Sequence, residues 1–278
     1  MTKIEEILFR RKITRGSRSF PRFLYKYNNA QSINYLRDII VYSKFWLSSP
    51  YDFNDPFDTR INTVISGSGP EIIRRIRKAL ERIEDSSRKK EDIDREAAKL
   101  YADLKNKNVD LKKLAKNSHE ITMQSSGVVC FSEDPRNILL WSHYANHHKG
   151  ICFQFNIAVN PDIFLYALPV IYAEKYPTHN WVKESDDKFR DGVYTKFRDW
   201  EYEKERRIMS PGLMHQYLHF HASSLESVIY GCKISDSQID EVRKLLEERK
   251  SKSLPRLAEY RAIQSDDAYI IRLRKVPG

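Results

Sequence analysis

The sequence predicts an α+β fold, a mixed, mostly antiparallel sheet core with a charged helical insertion. Three observations lead there. Short strand-like runs, several of them aromatic, recur between helical segments; there are about six to eight, and their order mixes hairpin-like neighbours with crossovers. A charged, helix-prone stretch nearly free of aromatics, from Pro70 to Asn117, interrupts them. Of the 278 residues, 41% are hydrophobic, enough for a real core, with 16 Tyr, 13 Phe and 4 Trp to fill it.

Residues 1–22 are basic (Arg10, Arg11, Lys12, Arg15, Arg18, Arg22) and read as a loosely attached arm closed by Pro21. The rest, 23–278, is expected to form a single domain. Phe23–Tyr27 (FLYKY) alternates and is aromatic, hence a strand. Ser32 stands as the N-cap of a helix with Ile33, Leu36, Ile39 and Ile40 at helical spacing. Val41–Pro50 returns as a strand that Pro50 ends. In the turn Asp52–Asp58 (DFNDPFD), Asp52 and Asn54 are expected to close on their own backbone.

Gly67–Pro70 leads into the insertion, 70–118. Ile72, Ile73, Ile76, Leu80 and Ile83 share one helical face, and Ile93, Ala97, Leu100, Tyr101 and Leu104 share another. The pattern predicts a helical hairpin broken near Asp85–Ser87 and a third short helix from Leu111. It would cover the sheet or offer a face to a protein partner.

Val128–Phe155 reads as strand, polar turn, short helix, tight turn, strand, with Gly150 as the glycine that stops the helix. Val170–Tyr172 is strand-like. Lys188–Trp200 has helical spacing through Phe189, Val193, Phe197 and Trp200. Arg207–Met209 and Ser224–Ile234 are strands. Ser235 caps an amphipathic helix with Ile239, Val242, Leu245 and Leu246 on its apolar face, and Ala268–Val276 alternates as a closing strand.

Composition narrows the function. The three cysteines are odd in number and sit in apolar runs, which fits a reduced interior rather than a disulfide framework. The first residues hold no continuous apolar run, and no segment approaches the length of a membrane span, so a cytoplasmic protein without membrane association is expected. The net charge of +10 fits a nucleic-acid partner or anionic ligand gripped by the basic helices and the N-terminal arm. It equally fits Lys-rich solvated helices. With nine glycines and no GxGxxG, Walker or GxSxG motif, dinucleotide-binding Rossmann, P-loop and α/β-hydrolase chemistries have no support.

Three constellations remain. In Trp141–Gly150, His143 and His147 share a face if helical, and with Cys130 and Cys152 a Cys/His zinc site can be drawn. There is no CxxC or HExxH, so the cysteines read as small buried hydrophobes, and no metal is assigned. Ser132, Trp141, His143 and Tyr144 are left as one wall of a cleft. In Trp200–Ile208 (WEYEKERRI), Glu201, Glu203 and Glu205 would share a face if extended, placing carboxylates at a strand entrance. Such carboxylates orient a ribose hydroxyl or stabilise positive charge on a sugar carbon, whereas the plain reading is a solvated cluster paired with Lys204, Arg206 and Arg207. Tyr25, Tyr27 and Asn54 could flank a base or nicotinamide ring, against the plainer reading of core tyrosines.

Taken in order, LYKY (24–27), FWLSSPYDFNDPFD (45–58), VVCFSEDPRNILLWSHYANHHKGICFQF (128–155), WEYEKERRI (200–208) and VIYGCKI (228–234) resemble an uncharacterised bacterial family, the domain of unknown function numbered 2971. The resemblance covers most of the chain outside the insertion and the extreme termini, and it implies no chemistry. At the level of organisation the chain is also similar to ADP-ribosyltransferases. Those open with a strand bearing His, Arg or Tyr, follow with a strand and helix supplying Ser or Tyr, and place a Glu or E-x-E at a later strand start. That resemblance implies a split-sheet core, NAD as cofactor with its nicotinamide and ribose cradled by Tyr25 or Tyr27 and Ser132 or Tyr144, and Glu203 or Glu205 as the catalytic carboxylate. Beside those residues, Asn54, Trp141 and His143 are expected to line the same cleft and bind the cofactor, with Tyr144 as a further catalytic group. The first strand departs from the usual His or Arg.

The function expected is therefore NAD-dependent ADP-ribosyl transfer to a nucleic acid or protein, in a toxin or phage-defence setting. A non-catalytic nucleotide or nucleic-acid binding module is the alternative. A metal-dependent nuclease or hydrolase would need Asp52, Asp55, Glu133 and the histidines to converge.

Overall fold

The computed structural model describes residues 20–83, 89–105, 111–184 and 190–277. Most of the basic arm and the expected helix break at Asp85–Ser87 lie outside them. The chain forms two compact units. One combines the segment up to Ser48 with Gly127–Val170 and the segment from Asp199 onward; the other combines Ser49–Ser126 with Ile171–Arg198.

In chain order the strands are β1 (Phe23–Asn28), β2 (Lys44–Trp46), β3 (Asn62–Val64), β4 (Gly127–Ser132), β5 (Ile151–Asn156), β6 (Leu168–Pro169) and β7 (Ile171–Ala173). They continue as β8 (Thr178–Asn180), β9 (Thr195–Phe197), β10 (Glu205–Ser210), β11 (Tyr217–His219), β12 (Leu225–Tyr230), β13 (Ala258–Gln264) and β14 (Ile271–Lys275). The first unit is built on an eight-stranded sheet in the order β14-β13-β12-β5-β1-β4-β10-β6. Every pairing is antiparallel except β12 with β13. That parallel step needs a crossover, supplied by the helix Asp236–Ser251. This is the α+β class with a mixed, mostly antiparallel sheet.

Strand alternation divides the sheet into two faces. Leu24, Phe131, Phe153, Phe155, Ile208 and Val228 point to one and form the main core with the helices Ile33–Ile40 and Asp236–Ser251. Phe45 is the hub, with ring centroids 4.4 Å from Phe220, 5.1 Å from Phe155 and 5.3 Å from Phe131. In Ile33–Ile40, Ser32 accepts from the Tyr35 N–H at 3.4 Å, and Leu36, Ile39 and Ile40 are buried. Each is worth roughly 1.5–3 kcal/mol of apolar transfer. Ser235 and Gln238 form a reciprocal capping box at the head of the second helix.

In the second unit, the helices Gly69–Ile83 and Lys90–Lys105 pack together, with Ile76, Leu80, Ile93 and Ala97 buried as the spacing predicted. The next helix in the chain is Leu111–Ser125, which contacts β3 and the Pro50–Asp52 turn, so the helical region runs past 118. Arg75 is buried there; it donates to the Trp181 carbonyl and lies 4.9 Å over the indole. Short parallel pairs β3–β8 and β7–β9 complete the unit.

Several local expectations are corrected. The strand expected over Val41–Pro50 is confined to Lys44–Trp46, because Ser43 turns the chain at φ 51° and Ser49–Asp52 closes a capped 3-10 turn. Asp52 reaches back to the Ser49 N–H at 3.0 Å, and the forward turn is closed by Asp55 onto Phe57 at 2.8 Å, not by Asn54. The helix expected over Lys188–Trp200 is one turn, Arg190–Val193, followed by β9 and a 3-10 turn over Arg198–Glu203. Pairing of β9 with β7, which lies far back in sequence, overrides the local helical spacing.

Candidate functional site

The face of the sheet opposite the main core carries polar chemistry. Ser227, Gln154, Tyr25, Ser132 and Glu205 stand directly opposite one another on β12, β5, β1, β4 and β10. Side chains in such a row emerge on the same face. Ser227 Oγ donates to Gln154 Oε1 at 2.7 Å, tying one end of the row together.

The far end holds two carboxylates. Glu205 receives Arg207 Nε at 2.8 Å and Nη2 at 2.9 Å, a bidentate pair two residues apart on one strand face, with Glu205 7% and Arg207 1% exposed. Glu203 lies just before the strand, in the 3-10 turn, and is 2% exposed. Lys204, at φ 45°, is the bend between them. The three glutamates therefore do not share an extended face; Glu201 is exposed, while Glu203 and Glu205 are both turned inward.

Tyr144 closes the cluster from the helix Ile138–Tyr144, its hydroxyl donating to Glu203 Oε1 at 2.8 Å. Ser132 Oγ donates to the Glu203 carbonyl at 2.6 Å and accepts from the Asp134 N–H at 3.0 Å, so it pins the end of β4 to the glutamate turn. Asn137 has a double role unmarked in the sequence reading. Its Oδ1 caps the helix at Leu139 N (2.9 Å) and Leu140 N (3.2 Å), and its Nδ2 donates to the Tyr202 carbonyl at 2.7 Å. One side chain thus fixes the Tyr144 helix and the Glu203 turn together.

Electrostatics follow from burial. Tyr25 is pushed up to about 12, chiefly by burial and then by Cys152. Tyr144 is pushed much higher, by burial first and then by the Glu203 charge, so its phenol stays a donor. Burial, and then Glu205, raises Cys130; burial raises Cys152 well above the usual thiol range. Both cysteines stay thiols, Cys152 inside an apolar cluster and Cys130, against expectation, beside Glu205 and opposite Arg207.

The remaining expected residues are placed as follows. Trp141 is fully buried, donates from Nε1 to the Pro135 carbonyl at 2.8 Å, and meets Tyr27 edge-on at 5.2 Å. Tyr27 in turn donates to the Asp134 carbonyl at 2.7 Å. These two brace the site from beneath. His143 is exposed beside Trp200, with ring centroids 6.2 Å apart. His147 does not share its helix, because the helix ends at Tyr144 and Asn146, His147 and His148 follow with φ of 46°, 53° and 69°. Asn54 is an exposed residue of the second unit. There the Asp55–Thr59 turn lines a cavity of about 590 Å³ with Tyr51, His119 and Tyr176.

The pairing of the glutamates with Arg207 was expected as a solvated cluster; the i, i+2 spacing on a strand makes the Glu205–Arg207 pair, and it is buried. Among the described residues, no group of three or more His, Cys, Asp or Glu is placed to hold a metal ion. No helix among them is long and apolar enough to cross a membrane. No family model, curated protein or solved structure matches the chain.

Proposed function

We propose that the first unit transfers ADP-ribose from NAD, and that the row Tyr25–Ser132–Glu205 is its catalytic floor. The observation carrying this reading is the register: three adjacent strands bring a phenol, a hydroxyl and a carboxylate level on one face. This is the sequence of groups that the resemblance to ADP-ribosyltransferases implies for the first strand, the Ser-bearing strand and the Glu-bearing strand. The split-sheet form of that fold is part of the same proposal.

The residues present suit NAD. The half-buried Tyr25 and the buried Ser132 offer a ring and a hydroxyl to a nicotinamide riboside, and Glu205 offers acceptors to a ribose hydroxyl. NAD supplies a ribose–nicotinamide bond that breaks with its electron pair leaving on the nicotinamide nitrogen, while an acceptor lone pair forms the new bond to the same carbon. Glu205, fixed by Arg207, stabilises the positive charge building on the sugar carbon. Glu203, oriented by Tyr144, takes the proton from the acceptor. A dry, pre-set site costs no reorganisation as that charge develops.

The test is incubation of the purified chain with NAD labelled separately in the nicotinamide and adenylate halves, offering DNA, RNA and protein acceptors. Wild type should release nicotinamide and transfer the adenylate label, and Glu203→Gln and Glu205→Gln should each reduce release at least about 100-fold. Absence of NAD binding, nicotinamide release and automodification in wild type would sink the reading.

A further inference from the structure

The last hairpin carries a charge arrangement that packing does not require. In the β13–β14 pair, Arg261 stands directly opposite Arg274, and Ile263 opposite Arg272. The three arginines therefore emerge on one sheet face. Directly opposed Cα atoms lie about 4.5–5.5 Å apart, and residues two apart on a strand about 7 Å. Like charges at these separations repel and destabilise the pairing.

Little on the molecule offsets them. Arg272 Nη2 lies 3.7 Å from Asp267 Oδ1, with side chains 68% and 78% exposed, a pair worth little in water. Neither Arg261 nor Arg274 has an ion-pair partner among the described residues. Glu259, on the same face, accepts from Arg243 at 3.3 Å and from the Tyr230 hydroxyl at 2.7 Å. Arg272 and Arg274 are exposed and Arg261 is half-buried. At the tip of the hairpin, Tyr269 is 98% exposed, a ring with no packing role.

Basic residues on an outer strand also deter edge-to-edge aggregation, and β14 is an outer strand. That explanation covers Arg272 and Arg274 only. Arg261 is on β13, which is paired on both sides, so it guards no edge.

We infer that this hairpin face binds the phosphodiester backbone of a single-stranded nucleic acid, with Tyr269 stacking on an unpaired base. Guanidinium forks match phosphate oxygens in pairs, which converts the mutual repulsion of Arg261, Arg272 and Arg274 into attraction for one polyanion. An exposed ring at the tip of the same hairpin is the other half of a single-strand platform, because a base in a duplex has no open face to offer it. The net charge of +10 adds long-range attraction. This inference stands apart from the NAD reading, since binding is measured without NAD.

The test uses the full chain and fluorescein-labelled single-stranded DNA and RNA of about 15 nucleotides. A duplex of the same sequence and polyglutamate serve as comparisons, with anisotropy followed from about 50 to 300 mM salt. Three phosphate contacts to a single strand contribute about 2 to the logarithmic salt slope. The triple variant Arg261→Gln, Arg272→Gln, Arg274→Gln should lose that slope and weaken binding roughly 30- to 100-fold near 0.1 M salt. Tyr269→Ala should weaken binding about 5- to 10-fold with the slope unchanged. Thermal melts confirm that these surface variants fold. The inference is overturned by no binding to either single strand, by equal affinity for polyglutamate, or by a preference for the duplex. It is also overturned if the triple variant keeps wild-type affinity, including the case where it aggregates through β14 while still binding.

Discussion

The Tyr144 hydroxyl and the Glu203 carboxylate meet at 2.8 Å, joining the end of a helix to the 3-10 turn that precedes β10. Burial and the glutamate charge hold the phenol protonated, so it stays the donor of this bond. Tyr144→Phe keeps the ring and removes the donor. It should cost about 1–3 kcal/mol of stability by urea unfolding, because a buried carboxylate loses a partner. Nicotinamide release should fall at least about 10-fold with NAD binding little changed. Unaltered turnover would remove Tyr144 from the machinery.

Glu205 and Arg207 depend on each other more strongly. Both are buried, and the bidentate geometry satisfies two carboxylate oxygens from one guanidinium. Arg207→Met alone should destabilise by about 3–5 kcal/mol, since it strips a buried charge of its partner. The double variant Glu205→Leu, Arg207→Met should recover much of that loss, because an apolar pair restores neutrality. A denaturation cycle over the four proteins measures the coupling, and additive losses would refute it.

Where local chemistry decides structure, the sequence was readable. FLYKY became β1, Val128–Phe155 became strand, helix and strand, and Ser32 and Ser235 are the N-caps their positions suggested. β13 went unread because its alternation is charged, AEYRAIQ, and its pairing with β12 depends on a crossover. The Arg190–Phe197 region was misread because a distant parallel partner outweighs its spacing. In the site, Ser132, Glu203, Glu205 and Tyr144 were legible as residue types. That Glu205 lies level with Tyr25 and Ser132 was not, since cross-strand register is set by pairing between segments far apart in the chain.

Arg249 supports the first unit from inside. It is 1% exposed and donates to the carbonyls of Ile40 (2.6 Å), Ala222 (2.7 Å) and Pro255 (2.7 Å), and burial brings it down to about 10. Ile40 ends its helix, so one of these bonds satisfies a carbonyl that the helix cannot. Arg249→Met should cost about 3 kcal/mol by urea unfolding. Arg249→Lys should restore only part of it, because an ammonium lacks the planar fork that reaches three directions. Full rescue by lysine would show that charge alone suffices.

His119, in the second unit, makes stability depend on acid. Burial, then His179, brings it from 6.5 down to about 4. Above 6.5 it is neutral whether folded or not, and contributes no pH dependence. Between 6.5 and about 4 the unfolded chain takes up a proton that the folded chain refuses, so stability falls as the pH falls. Discounted for screening, the shift leaves about 2 kcal/mol for this group. His119→Leu should therefore narrow the difference in unfolding free energy between about pH 7 and pH 4.5 by that amount. An equal difference in both proteins would show that His119 is not the sensor.

Gly150 is required for a reason other than the one its position suggests. It does not hold the left-handed conformation; Asn146, His147 and His148 do, at φ 46°, 53° and 69°. A Cβ on Gly150 would instead overlap the Asn28 carbonyl oxygen and stand 2.9 Å from Ala145 Cα, both of them backbone, so no side-chain rotation relieves it. Gly231 meets the same obstacle at the His148 carbonyl, and its N–H bonds the Gly150 carbonyl at 2.9 Å, so the two turns interlock. Gly150→Ala should cost roughly 3 kcal/mol or more. The exposed His147 provides the opposite sign, because its strain lies in φ and not in space. His147→Gly should be neutral or stabilise by up to about 1 kcal/mol once the entropy of the new glycine is deducted. Urea unfolding of the two variants separates the causes. If His147→Gly destabilised as much as Gly150→Ala, the histidine ring and not the backbone would be holding the turn.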